Sequence, residues 1–158
     1  LLLKLLDFKY IAQDKIMTPT LIGRWQTRIL LLGTLGVLVT IPFSLNGEFV
    51  YFQVLLAIAV LGCLWDIFYN QLQTVRWDHD WPATLQVGSG IWEAFFFYVP
   101  FRYLISNILK IGWLIDIPFD KFLLHYACIW LAVFTASQTL MRIIFPRWRF
   151  HGGEWFHK

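Results

Sequence analysis

Long apolar blocks separated by short polar ones set the pattern of this chain. A helix that crosses a bilayer needs roughly 20 largely apolar residues. Four blocks come close: Ile29 to Leu45, Phe49 to Tyr69, Ile91 to Leu109 and Phe122 to Phe145. The first reads "ILLLGTLGVLVTIPFSL", with Trp25 before it and "NGE" as the turn after it. The pattern predicts an all-α integral membrane protein whose membrane domain, residues 19–145, holds about four transmembrane helices. Ahead of it, residues 1–18 set Lys4, Asp7 and Lys9 among apolar positions, which fits an amphipathic helix lying in the membrane interface or packing on a partner. Pro19 ends that helix, because proline cannot continue it and disfavours helical geometry at Thr18. The chain opens "LLLKLLDFKY" with no initiator Met, as expected for a segment of a longer gene product. The mixture of acid and base there does not fit a signal peptide.

Small residues and prolines refine the spans. Gly33 and Gly36, and Ala132 with Ala136, would allow close helix approach. Pro42 and Pro100 would kink or end their helices, and a bend is expected at Pro100, near the middle of the third block. "GSG" around Ser89 reads as a tight turn. The two halves of the membrane domain do not match in turns or motifs, so no internal repeat is read.

Charge sets the orientation. Lys and Arg collect in cytoplasmic flanks. Lys4, Lys9, Lys15, Arg24 and Arg28 precede the first span, Arg76 lies in the second loop, and Arg142, Arg147, Arg149 and Lys158 mark the C-terminal end. Only Lys110 and Lys121 fall in the opposite loops, so both termini are expected on the cytoplasmic side.

Composition excludes a water-excluded soluble core: 58% of residues are hydrophobic and 15% charged, against roughly 25% charged in soluble domains. The formal charge of +3 does not read as a nucleic-acid surface, because the bases sit beside apolar runs. Cys63 and Cys128 lie inside apolar blocks without CxxC spacing and read as buried thiols.

Ionisable groups within the blocks carry the most information, since each costs roughly 2.5–3.5 kcal/mol at the centre of a spanning helix. These are Asp66, Glu93, Arg102 and His125. Asp66 and Glu93 lie near the same ends of the second and third spans. If they meet, they share a proton, bind a cation or require a base such as Arg76. Glu93 and Arg102, nine residues apart, fall on nearly opposite faces of a helix that turns roughly 100° per residue. Arg102 must therefore find Asp116 or Asp120, snorkel outward, or bind something outside the chain.

The remaining candidates are weaker. Asp78, His79 and Asp80 are respectable metal ligands, but consecutive side chains do not normally all face one ion, so they read as a polar hairpin with Trp77 and Trp81 in the interface. No metal site and no catalytic residue is assigned. His125 is the candidate axial ligand of a chlorophyll-type pigment; a bis-histidine haem lacks a second His at matching depth, and no cofactor is assigned. The basic, aromatic tail of residues 146–158 places Arg147, Trp148, Arg149 and Trp155 as headgroup anchors.

No P-loop, HExxH motif or nucleophile-and-base pairing occurs. The expected role is therefore a non-catalytic anchoring, scaffolding or accessory subunit of a larger membrane complex, in contact with lipid and other membrane subunits and with no nucleic acid. The alternative is a small oligomeric transporter or channel with Asp66, Glu93 and Arg102 along its path. A third reading is a pigment-binding or enzymatic subunit, the latter built from the Asp78–Asp80 loop and His151.

Overall fold

A computed structural model describes residues 19–45, 47–76, 82–108, 110, 116–145 and 152–154. The interfacial helix expected at residues 1–18, the Asp78, His79, Asp80 loop, and the tail residues Arg147, Trp148, Arg149 and Trp155 lie outside the described residues. Every element formed by the described residues is helical.

The first segment comprises α1 (Leu21–Leu31), a π-helical turn (Leu32–Gly36) and α2 (Val37–Ser44). It starts eight residues before the expected boundary. After Pro19, the Thr20 hydroxyl accepts a bond from Gly23 N–H at 3.0 Å and caps the helix. Arg24 and Arg28, expected as flanking bases, are therefore inside the helix. The second segment is α3 (Val50–Val75), which runs past Tyr69. The third begins with α4 (Ala83–Phe96), which follows Pro82, and continues through π turns at Phe97–Phe101 and Leu104–Ile108. "GSG" is helical rather than a turn: Ser89 Oγ donates to the Gln86 carbonyl at 2.9 Å within α4. The fourth segment comprises α5 (Phe119–Gln138) and α6 (Leu140–Ile144).

The π turns fall where the sequence resists a regular helix. Pro100 lacks an N–H and crowds the carbonyl four residues earlier, and the wider turn around it has Arg102 N–H donating to Phe97 O, five residues back. The turn in the first segment spans Gly33 and Gly36; a Cβ on Gly36 would lie 3.0 Å from Leu55 Cδ1, whereas one on Gly33 would meet open space. Of the two glycines, Gly36 is the one at a close contact.

Three segments, Leu21–Ser44, Val50–Val75 and Phe119–Ile144, are long and apolar enough to cross a membrane. Their outward faces are apolar as well as their buried ones. On α3 the buried face holds Asp66 and Gln73 among Tyr51, Val54, Leu55, Ile58 and Leu61, and the outward face exposes Leu56, Val60, Leu64, Phe68 and Leu72. An amphipathic helix facing water carries polar residues on that outer face.

The first and fourth segments run antiparallel. Thr40 bonds His125 at one level, and Leu31 packs with Ala136 nearer the other end. The same register sets Arg24 opposite Arg142. Toward the Thr40 end, Tyr51, Phe97, Ile105, Ile117, Phe122 and Tyr126 form a buried, largely aromatic core, in which Phe97 and Phe122 stack with centroids 4.9 Å apart.

Candidate functional site

Arg28 stands where three segments converge. Its guanidinium donates from Nε to Asp66 Oδ2 at 2.8 Å and from Nη2 to Asp66 Oδ1 at 3.0 Å. It also donates from Nη1 to Glu93 Oε2 at 3.0 Å and from Nη2 to Glu93 Oε1 at 3.1 Å. Both carboxylates are thus held bidentately by one planar fork, a geometry that arginine supplies and lysine does not. Asp66 and Glu93 are 4% and 7% exposed, so the pair is paid for by Arg28 rather than by water.

The fork needs room, and Gly62 provides it. A Cβ at Gly62 would lie 2.1 Å from Arg28 Nη1. One helical turn before Arg28, Arg24 donates from Nη2 to Gln73 Oε1 and brings a second positive charge near Asp66. Trp25 Nε1 donates to the Cys63 carbonyl at 3.0 Å, a further tie between α1 and α3.

Polar side chains also join the third and fourth segments. Arg142 Nη2 donates to Gln138 Oε1 at 2.6 Å, Gln138 Nε2 to Gln86 Oε1 at 3.2 Å, and Gln86 Nε2 to Ser137 Oγ at 3.4 Å. Deeper, the Tyr126 hydroxyl donates to Gly90 O at 2.8 Å. A Cβ at Gly90 would lie 1.9 Å from Trp130 Nε1, so the bare glycine lets the indole lie against α4.

These groups wall a cavity of about 260 Å³. Arg24, Arg142 and Gln138 line one end and Leu32, Ile58 and Ile129 the other, with the Arg28 clamp along its side. Residues Gly152 to Glu154 lie across the arginine end. Thr20 N–H donates to Gly152 O at 2.7 Å, Thr20 Oγ1 to Glu154 Oε1 at 2.8 Å, and Thr27 Oγ1 to Gly153 O at 3.3 Å. Gly152 and Gly153 have φ of 62° and 83°, and a Cβ on Gly23 would strike Gly152 O at 2.2 Å. Left-handed backbone on one side and a bare helix on the other let the turn come this close.

The candidate residues thus fall into separate places. Asp66 and Glu93 are brought together, and the base that answers them is Arg28. Arg102 lies away from them and bonds Asp116 Oδ1 at 3.1 Å, donates to Ile117 O, and stacks over Tyr98 at 5.1 Å.

His125 is fully buried, packed edge-on against Phe43 and Tyr51 at 5.0 Å each. Thr40 Oγ1 donates to Gly36 O at 2.7 Å and so accepts from His125 Nε2 at 3.0 Å. The remaining nitrogen, Nδ1, has no hydrogen-bond partner among the described residues. The imidazole is thus held inside the bundle by Thr40, Phe43 and Tyr51. Among the described residues, no group of three or more His, Cys, Asp or Glu side chains is placed to hold a metal ion.

Sequence reasoning missed Arg28, Gly62 and Gly90. The available signal was the spacing of Arg24 and Arg28, four apart and hence on one helix face. The two glycines are legible only from what stands opposite them. No protein family, curated protein or solved structure matches this chain, so its function is read from these residues.

Proposed function

We propose that this is a multi-pass integral membrane protein of four spanning helices, with both termini on the cytoplasmic side, acting as a non-catalytic scaffolding or accessory subunit of a larger membrane assembly. The observation that carries the reading is the outer surface: large apolar side chains face outward along the helices, while the ionisable Asp66 and Glu93 close on Arg28 inside. An apolar exterior on this scale calls for lipid and other apolar helices around it. The interior charges no longer call for a partner subunit, because Arg28 pairs both Asp66 and Glu93 within the chain, with Arg24 a second positive charge near Asp66, and Asp116 meets Arg102. The case for partners rests on the outer surface.

A transport path through Asp66, Glu93 and Arg102 has less support. The first two are locked on Arg28, and the aromatic core with Phe97 and Phe122 closes the bundle between them and Arg102. The test is the native mass of the protein extracted from its own membrane into nanodiscs. Fixed, stoichiometric partner chains are expected; a homo-oligomer that conducts ions after reconstitution, and stops conducting on Glu93→Gln, overturns the reading in favour of a channel.

A further inference from the structure

The charges around the cavity beside the Arg28 clamp balance one another. Arg28 holds Asp66 and Glu93, Arg24 bonds Gln73 and lies near Asp66, and Arg142 donates to Gln138. Glu154, bonded by Thr20 on the turn that crosses the same end, sets a third acid against the third arginine. A charged ligand would meet no uncompensated opposite charge here, and a charge taken out of water without one is costly. The cavity suits a neutral molecule.

Neutral hydrogen-bonding groups line one part of it and apolar side chains another. The Gln86 and Gln138 amides carry two N–H groups each; among the described residues, Gln86 Nε2 donates to Ser137 Oγ and Gln138 Nε2 to Gln86 Oε1, which uses one of each pair. Trp130 lies eight residues before Gln138 on α5, about 12 Å further along the helix. It brings to the cavity an indole N–H, which only donates. Beyond it the wall is Leu32, Ile58 and Ile129. An apolar pocket with a few convergent polar groups is the usual form of a small-molecule site. At about 260 Å³, the cavity falls slightly below the roughly 300–1,000 Å³ that encloses a drug-sized molecule. That volume suits a small head and part of one chain, and is too small for a two-chain lipid.

We propose that this cavity binds a neutral single-chain amphiphile, a hydroxyl-bearing acyl ester of the monoacylglycerol class. Its hydroxyl groups meet the Gln86 and Gln138 amides, its ester carbonyl accepts from Trp130 Nε1, and its chain lies along Leu32, Ile58 and Ile129. Hydroxyls both give and accept hydrogen bonds, as primary amides do, whereas an ester carbonyl only accepts and so answers a group that only donates. The chain covers apolar wall within the bundle. This goes beyond the scaffolding reading, because a cavity inside one chain fills with or without partner subunits around it.

Trp130 lines the cavity and reports occupancy, because bromine quenches indole fluorescence on contact. The full chain, in nanodiscs of unbrominated phosphatidylcholine, is titrated with dibromostearoyl glycerol and, separately, with dibromostearate and with phosphatidylcholine carrying brominated chains. Saturable quenching by dibromostearoyl glycerol that Trp130→Phe removes is expected. Gln86→Leu raises the half-saturating concentration about tenfold, the loss of one hydrogen bond, and dibromostearate, ionised, binds at least about tenfold more weakly than the glycerol ester. Val133 also lines the cavity, and Val133→Phe, which projects a ring into it, abolishes saturation. Dibromostearate binding as tightly as the ester, equal quenching by brominated phosphatidylcholine, or no saturable component that depends on Trp130 overturns the proposal. So does a half-saturation that neither Gln86→Leu nor Val133→Phe moves. An unchanged circular dichroism spectrum of each variant separates lost binding from lost fold.

Discussion

At the scale of single residues, the Arg28 fork is where charge and packing meet. Removing one member of a buried ion cluster leaves the others desolvated and unbalanced, which costs about 3–5 kcal/mol. Arg28→Met is expected to lower unfolding stability in lipid bicelles by that order, because it strands two carboxylates at once. Arg28→Lys recovers only a minor part of the loss, since an ammonium cannot form two planar bidentate pairs. The triple variant Arg28→Met, Asp66→Asn, Glu93→Gln regains more than Arg28→Lys does; a triple variant no more stable than Arg28→Met alone would count against an electrostatic clamp. Gly62→Ala reaches the same end by another route, as its Cβ would intrude on Arg28 Nη1 at 2.1 Å. Gly88 is its control: a Cβ there meets nothing within 4 Å, so Gly88→Ala should stabilise α4 by up to about 1 kcal/mol through helix propensity. Equal unfolding midpoints for the two alanine variants would remove the steric argument. Asp66 and Glu93 were legible as suggestive residues because an acid in an apolar block is costly wherever it stands. Arg28 was not, because a base at the edge of such a block reads equally well as a flank.

At the scale of elements, helical character was legible in the described segments and the ends were not. Apolar blocks mark where a helix is buried in an apolar medium or in protein. Caps and prolines mark where it begins, and Thr20 and Pro82 moved two starts well ahead of the apolar residues. Pro100 announced a disturbance; the π turn that resolves it depends on the carbonyl partners available along that helix. The outward face of α3 carries the decisive element-level prediction. Leu64 lies midway along Val50–Val75 and is 52% exposed. If lipid surrounds it, Leu64→Lys should raise the apparent insertion free energy of this segment by about 2.5–3.5 kcal/mol, read by glycosylation mapping in microsomes. On a water-exposed surface the same change is worth within about 0.5 kcal/mol, and a shift that small would argue that water or a polar partner covers α3.

At the scale of the whole molecule, the register of the four segments separates two ends. Glu48 and Lys121, 3.8 Å apart, share one end with Asp116; Ala83 and the Gly152 to Glu154 crossing belong to the other. In the proposed topology, Glu48→Cys and Ala83→Cys, each placed in a background with Cys63 and Cys128 replaced by Ser, are labelled by a membrane-impermeant maleimide from opposite sides of sealed vesicles, with Ala83→Cys reached from the cytoplasmic face. Labelling of both from one side would exclude that arrangement. By itself the sequence determined that the chain is helical and holds segments long and apolar enough to cross a membrane: block length and apolar content are summed over many residues, so they survive ignorance of any one contact. It also marked out the acids whose burial needed an answer. Only the tertiary structure decided what answers them, that Asp116 rather than Asp120 meets Arg102, that His125 is enclosed by Thr40, Phe43 and Tyr51, and that the helices leave a cavity beside the Arg28 clamp. Those facts depend on side chains brought together from positions far apart in the chain, at distances of about 3 Å for each hydrogen bond, and no local pattern of residue types encodes them.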